Sequence, residues 1–223
     1  MFSYYGTKQK IARMYPAPTI YPIIEPFAGA AGYSCEWGLD KDVILYDIND
    51  HIVDVWTYLI GATKDDILNL PDVTYGMRVS DLNVPSGAKK LIGFCINCGS
   101  SAPKITCTKR CDKSWARYRA KISNLVPRIK LWSIQKLSYY NVPNHYGTWH
   151  IDPPYQKAGK YYTGHGKIDF YSLGKWCQSR SGEVMVCENR GADWLPFVDF
   201  TRLRGASGNT QVEVIWRNKC QIG

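Results

Sequence analysis

The stretch of this chain best equipped for chemistry is Thr148-Trp149-His150-Ile151-Asp152-Pro153-Pro154-Tyr155. An apolar run with strand character stops there at an acid, because neither proline has the backbone N–H that a sheet ladder needs. In a parallel sheet that exit lies at the carboxyl edge, where open α/β sheets bind their ligands. The same residues also make an ordinary strand-ending turn, since Asp and Pro are turn formers. Their chemistry emerges if an extruded base is set beside them. The exocyclic amine of adenine is a poor nucleophile because its lone pair is delocalised into the ring. Asp152 and the carbonyl of Pro153 are the right acceptors for its two N–H bonds, and accepting both would localise the lone pair and aim it at an electrophilic carbon. Tyr155 offers a ring face on which the base can stack. Direct attack on a methylsulfonium requires no covalent enzyme intermediate. Consistently, the chain lacks the Pro-Cys dipeptide expected of carbon-directed cytosine methylation.

Other elements must bring a nucleoside to that point. A strand over Thr19 to Glu25 runs into Glu25-Pro26-Phe27-Ala28-Gly29-Ala30-Ala31-Gly32-Tyr33, whose small residues let the backbone approach a ligand before a helix begins near Gly32. A second strand, Asp42 to Tyr46, ends on Asp47, 18 residues beyond Gly29. That is near the interval of about 20 at which an acid reaches a ribose hydroxyl. Asn49 or Asp50 caps a helix whose Ile52, Val55, Trp56 and Leu59 face a core, and Gly61 closes it. Ahead of all this, Ser3 to Lys10 forms a tyrosine-glycine loop leading into a short helical piece, Ile11 to Tyr15.

From Ala62 to Gly87 a short helical segment (Lys64 to Leu70) alternates with turns and weak strands, a poor match to a doubly wound sheet. Residues 61–127 are therefore expected to be an insertion, between parts 1–60 and 128–223 of the main domain. The insertion holds Cys95, Cys98, Cys107 and Cys111, which suit either free thiols or a four-thiolate zinc site with a short intervening loop. Beyond it, Trp115, Tyr118, Ile122 and Leu125 share a helix face that Arg117, Arg119 and Lys121 mainly avoid, and a strand follows over Leu131 to Tyr140. The glycine- and tyrosine-rich loop from Tyr155 through Lys167 is long enough for a lid. Asp169 caps a helix to Gln178, Glu183 to Cys187 is a strand, and Val198 to Leu203 with Thr210 to Trp216 reads as an antiparallel pair at the sheet edge.

Charge is concentrated in one place. Of 28 basic and 19 acidic residues, ten basic and one acidic fall between Lys104 and Lys136, so the remainder of the chain is balanced. A basic segment interleaved with Trp115, Tyr118 and Trp132 is what phosphate-backbone binding requires. No apolar run is long enough to span a bilayer, and Lys8 and Lys10 are not followed by an apolar h-region, so a cytoplasmic protein with reduced cysteines is expected.

Taken together, Asp152-Pro153-Pro154-Tyr155, Glu25 to Gly32 and Tyr4-Tyr5-Gly6-Thr7-Lys8 resemble the Dam-like adenine-specific DNA methyltransferases, a family with many phage-encoded members. The resemblance runs from about Ser3 to Trp216. It implies a Rossmann-like α/β sheet with an antiparallel C-terminal strand pair, S-adenosylmethionine as cofactor, and double-stranded DNA as partner through an inserted target-recognition region. It also implies a catalytic set of Asp152, Pro153, Pro154 and Tyr155. Tyr4 and Lys8 would line the cofactor pocket, Phe27 and Gly29 flank the methionine moiety, Asp47 bind the ribose, Ser138 and Tyr139 hold the adenine ring, and Asp152 touch both cofactor and target. Thr7 and the Leu137-Ser138-Tyr139 segment depart from the family pattern, which often has a glycine and an acid there. No metal and no obligate protein partner are implied. Methylation of RNA adenine or of the cytosine exocyclic amine, and nucleic-acid binding without catalysis, are the alternative expectations.

Overall fold

The computed structural model describes residues 2–97, 100–157, 166, 168–204 and 210–218. Seven strands form one mixed sheet: β1 (Ile23–Glu25), β2 (Val43–Asp47), β3 (Trp132–Lys136), β4 (Gly147–Ile151), β5 (Gly182–Asn189), β6 (Val198–Arg204) and β7 (Thr210–Arg217). Their spatial order is β3-β2-β1-β4-β5-β7-β6. The first five are mutually parallel, while β7 pairs antiparallel with both β5 and β6. From β1 the chain first builds outward through β2 and β3, then returns to place β4 on the other side of β1. The switch point of this topology therefore lies between β1 and β4, where a crevice opens at the carboxyl ends of the strands.

Side chains alternate across the sheet and feed two apolar layers. Ile23, Leu45, Met185 and Cys187 enter one layer with helices α1 (Gly32–Trp37) and α2 (Asp50–Gly61). Ile24, Trp149, Ile151, Val184 and Val186 enter the other, under α6 (Phe170–Gln178). Two helix starts were legible from capping chemistry. The Asn49 side chain accepts from the His51 amide at the head of α2, and Asp169 accepts from Tyr171 and Ser172 at the head of α6.

Segment 61–127 contributes α3 (Lys64–Leu68), α4 (Ser86–Cys95) and α5 (Ser114–Leu125). It shares the first apolar layer. Leu91, Ile92, Phe94, Trp115 and Ile122 are buried in the same cluster as Trp56 and Leu59, and Phe2 packs on both Phe94 (5.4 Å) and Trp56 (5.9 Å). Helix α4 escaped the reading of the sequence. Ala88, Leu91, Ile92 and Cys95 recur at helical spacing, but Gly87 and Gly93 lower its helix propensity and its second half, Leu91 to Cys95, reads as a continuous apolar run. The strand expected over Leu131 to Tyr140 is shorter, ending at Lys136 before a 3₁₀ turn at Tyr139–Asn141. As the outermost strand on that side, β3 pairs only with β2, whose ladder with it ends at Asp47.

Candidate active site

At the switch point lies a cleft of about 320 Å³, in the size range of small-molecule sites. Its walls come from four places: the N-terminal loop Tyr4 to Lys8, the β1 exit Glu25 to Gly32, the β2 exit Asp47 to Asn49, and Ser138, Tyr139, His150, Asp152, Pro154 and Ile168. Tyr4, Lys8, Phe27, Gly29, Asp47, Ser138, Tyr139 and Asp152, eight residues expected in the sequence to serve a cofactor, all line this single cleft. Of the expected catalytic set, Asp152 and Pro154 line the cleft, while Pro153 and Tyr155 are not among its lining residues.

The β1 exit is shaped by backbone geometry. Gly29 has φ +45°, and a Cβ there would meet the Tyr4 ring at 3.1 Å, so only glycine lets the loop and the aromatic approach this closely. Ala31, the N-cap of α1, also sits at φ 45°, an uncommon conformation for a residue with a side chain. The loop is fastened from outside. Asp47 Oδ2 accepts from the Gly29 amide (2.9 Å), Asp47 Oδ1 accepts from the Asn49 amide (2.9 Å), and the Trp56 indole donates to the Gly29 carbonyl (2.9 Å). Burial pushes the Asp47 carboxyl above the usual range, against backbone N–H groups of Asn49, Gly29 and Ile48 that favour its charge. An ionised carboxylate offers about four lone-pair sites, so these bonds leave capacity for a ligand hydroxyl. On the opposite wall Phe27 stacks on Tyr139 with centroids 5.3 Å apart.

Asp152 stands directly after β4, where the two prolines end the ladder. Its Oδ1 is 2.9 Å from the Lys8 ammonium, which is itself buried and lies 3.7 Å from Glu213 Oε1. Burial disfavours the charge on Lys8, but the carboxylates of Asp152 and Glu213 more than offset it and hold the amine well above its ordinary value. The Lys8 nitrogen also sits 4.5 Å above the Tyr155 ring, close enough for a cation–π contact.

Reading the sequence missed a second, deeper set of polar residues. Glu25, His150, Glu188 and Glu213 are each at most 2% exposed. Glu25 accepts from the Ser34 amide (2.9 Å) and approaches His150 Nδ1 to 3.4 Å without hydrogen-bond alignment. His150 is stacked on Tyr33, centroids 4.5 Å apart, and its Nε2 lies 3.5 Å from the Cys187 sulfur. Glu188 takes the Gln156 amide and the Trp194 indole, and so anchors the start of the loop after Tyr155. Burial raises the carboxyls of both Glu188 and Glu213. Their positions on strands give no clue to this. A glutamate in a strand ordinarily signals the solvent face, whereas Tyr15, Tyr155 and Lys8 surround Glu213, and Gln156 and Trp194 engage Glu188.

The basic segment divides in two. Arg119 pairs with Asp72 (2.7 Å) and donates to the Leu70 carbonyl, Arg128 pairs with Asp40 (2.7 Å), Lys136 pairs with Asp50 (2.7 Å), and Lys130 donates to the carbonyls of Ile60 and Ala62. Lys104 points at the Cys111 sulfur (3.8 Å). Lys109, Arg110, Lys113, Arg117 and Lys121 are exposed and make no ion pair among the described residues. Arg117 and Lys121, four residues apart, share one face of α5, away from the buried Trp115 and Ile122, and Lys113 is the residue that precedes the helix. Cys95, Cys107 and Cys111 are buried thiols, Cys98 lies outside the described residues, and no metal-ligating cluster forms among the described residues. Most of the expected lid, 158–165 and 167, also lies outside them. No helix among the described residues is long and apolar enough to cross a membrane. No protein-family model matches the chain, and a search of curated proteins finds no match.

Proposed function

We propose that this chain is a DNA adenine methyltransferase, moving a methyl group from S-adenosylmethionine to the exocyclic amine of an adenine flipped out of duplex DNA. The observation that carries this reading is the convergence of the three sequence motifs, from residues 4–8, 25–32 and 152–155, on one cleft at the switch point of the sheet. Motifs distant in the chain have no reason to meet around a cavity if each is only a local turn.

The residues present suit the cofactor. A Cβ at Gly29 would fill space between the loop and Tyr4, Asp47 retains lone pairs for ribose hydroxyls, and Tyr139, packed on Phe27, offers an apolar ring for the cofactor's adenine. When bound, the cofactor supplies an electrophilic methyl carbon on a sulfonium. Asp152 keeps one oxygen on Lys8, which fixes the carboxylate and leaves the other oxygen to accept an amine N–H. The Pro153 carbonyl takes the second N–H, localising the amine lone pair. In this reading residues 1–60 and 128–223 form the catalytic part, and residues 61–127 recognise the target through the exposed cations on and before α5. The protein then works on DNA in the cytoplasm.

The test is incubation of the purified protein with S-adenosylmethionine and duplex DNA, followed by nuclease digestion and mass spectrometry of the nucleosides. N6-methyladenine is expected. A methylated cytosine, methylation confined to RNA, or no methylation at all would each overturn the reading.

A further inference from the structure

We infer that Glu213 is a positioning residue of this site: from the edge strand β7 it holds Tyr155 and Lys8 in place behind Asp152. The inference rests on the proposed methyl transfer for its kinetic consequence, but its geometry stands independently. Glu213 is 2% exposed, and one of its oxygens, Oε1, accepts from the Tyr155 hydroxyl at 2.6 Å and from the Tyr15 hydroxyl at 2.9 Å, with the Lys8 ammonium 3.7 Å away. These three partners come from separate parts of the chain. Lys8 belongs to the N-terminal loop, Tyr15 follows the 3₁₀ turn Ala12–Met14, and Tyr155 closes the Asp-Pro-Pro-Tyr segment. A carboxylate buried on an antiparallel strand is costly unless it is fully engaged, and here its neighbours are one cation and two hydroxyls.

The arrangement has a mechanical consequence. The prolines stiffen the backbone between Asp152 and Tyr155, so fixing the Tyr155 hydroxyl fixes the far end of the segment whose near end carries the amine acceptors. Lys8 is held between Asp152 and Glu213 and lies over the Tyr155 ring, so a shift of Tyr155 is felt by the Asp152 carboxylate through Lys8. Tyr15 is further fixed by stacking on Phe200 of β6, centroids 4.8 Å apart and rings 6° from parallel. The antiparallel pair β6–β7 thus serves as the rigid back wall of the site, which a parallel sheet ending at β5 would lack.

Glu213→Gln keeps the shape and weakens the hydroxyl bonds by removing the charge. Displacing catalytic groups by roughly an ångström costs on the order of a hundredfold. We therefore expect kcat for methyl transfer to fall about tenfold to a hundredfold in Glu213→Gln, with S-adenosylmethionine binding, measured by calorimetry, changed less than about twofold. Tyr155→Phe, which removes only the hydroxyl, should reproduce the fall in kcat, and the double variant should be no slower than Glu213→Gln alone. A second readout needs no activity. With tyrosines ¹³C-labelled at Cζ, the Tyr155 resonance, assigned by its loss in Tyr155→Phe, should shift in Glu213→Gln. Unchanged kcat in either single variant of an active enzyme, or multiplicative losses in the double variant, would overturn the positioning role while leaving the proposed function standing. Should the wild type transfer no methyl group, the proposed function falls. The spectrum then decides alone: a shifted resonance upholds the hold on Tyr155, and an unmoved one removes it.

Discussion

The cleft and the basic segment hold charged side chains in opposite settings. At the cleft, one buried ammonium faces Asp152 and Glu213, with Glu188 nearby, where desolvation makes every charge unfavourable and every partner count. At the head of α5 and along it, Lys113, Arg117 and Lys121 stand in water without carboxylate partners among the described residues, where a charge costs little and acts at a distance set by salt. The first arrangement orients groups to within fractions of an ångström. In the proposed function the second would attract a polyanion without fixing its register.

Asp152→Ala tests the contrast most severely. It should lower methyl transfer by on the order of 10³-fold or more, because in the proposed mechanism it deletes an acceptor for the reacting amine. Duplex binding should be nearly untouched, and transfer at the wild-type rate would break the assignment of chemistry to the cleft. Next in size is Lys8→Met, which leaves Asp152 and Glu213 facing each other with no cation between them. Removing one partner of such a buried group is expected to cost about 3–5 kcal/mol in urea unfolding. A loss below about 1 kcal/mol would mean that the pair behaves like a surface ion pair.

The opposite region should respond in salt rather than in stability. Replacing Lys113, Arg117 and Lys121 by Ala is expected to reduce the slope of log affinity for duplex DNA against log salt by about 0.9 for each phosphate left without its cation, with little change in unfolding. Arg119→Ala should do the reverse, since that side chain is already engaged by Asp72 and the Leu70 carbonyl. Equal slopes for the two variants would erase the division of the basic segment.

The smallest effect concerns pH. Asp47, Glu188 and Glu213 have carboxyls raised by burial above ordinary values of 3.8 and 4.5. Between the unfolded and the raised values the folded protein therefore binds more protons at these groups than the unfolded chain does. Stability from these groups is present below the unfolded values and is lost as pH rises through the raised ones. Exposed Asp50, Asp66 and Asp169, lowered by their hydrogen bonds, act with the opposite sign only below 3.8. The thermal midpoint should accordingly be higher in mildly acidic buffer than at neutral pH, and Glu213→Gln should flatten that slope. A midpoint that climbs steadily from acid to neutral pH would contradict it.

Much of the sheet was legible because parallel strands buried on both faces are short β-branched runs closed by turn chemistry, as at Ile23 to Glu25 and Val43 to Asp47. The caps at Asn49 and Asp169 were legible for a similarly local reason, since a side-chain oxygen reaches an amide two or three residues on. Helix α4 was hidden because its two glycines weaken helix propensity and its half from Leu91 to Cys95 reads as a plain apolar run. Tyr155 illustrates the limit at the site. Its type suggested an open stacking face, whereas its hydroxyl is tied to Glu213 and its ring lies beneath Lys8.

By itself the sequence determined where β1 and β4 stop, the glycine-permitted turn at Gly29 and the location of the excess charge, because backbone sterics, caps and composition act over a few residues. Only the tertiary structure decided which charges are buried and with whom. The cost of a charge depends on its desolvation and on partners arriving from distant segments, so Glu213 became part of the site only once β7 was laid between β5 and β6.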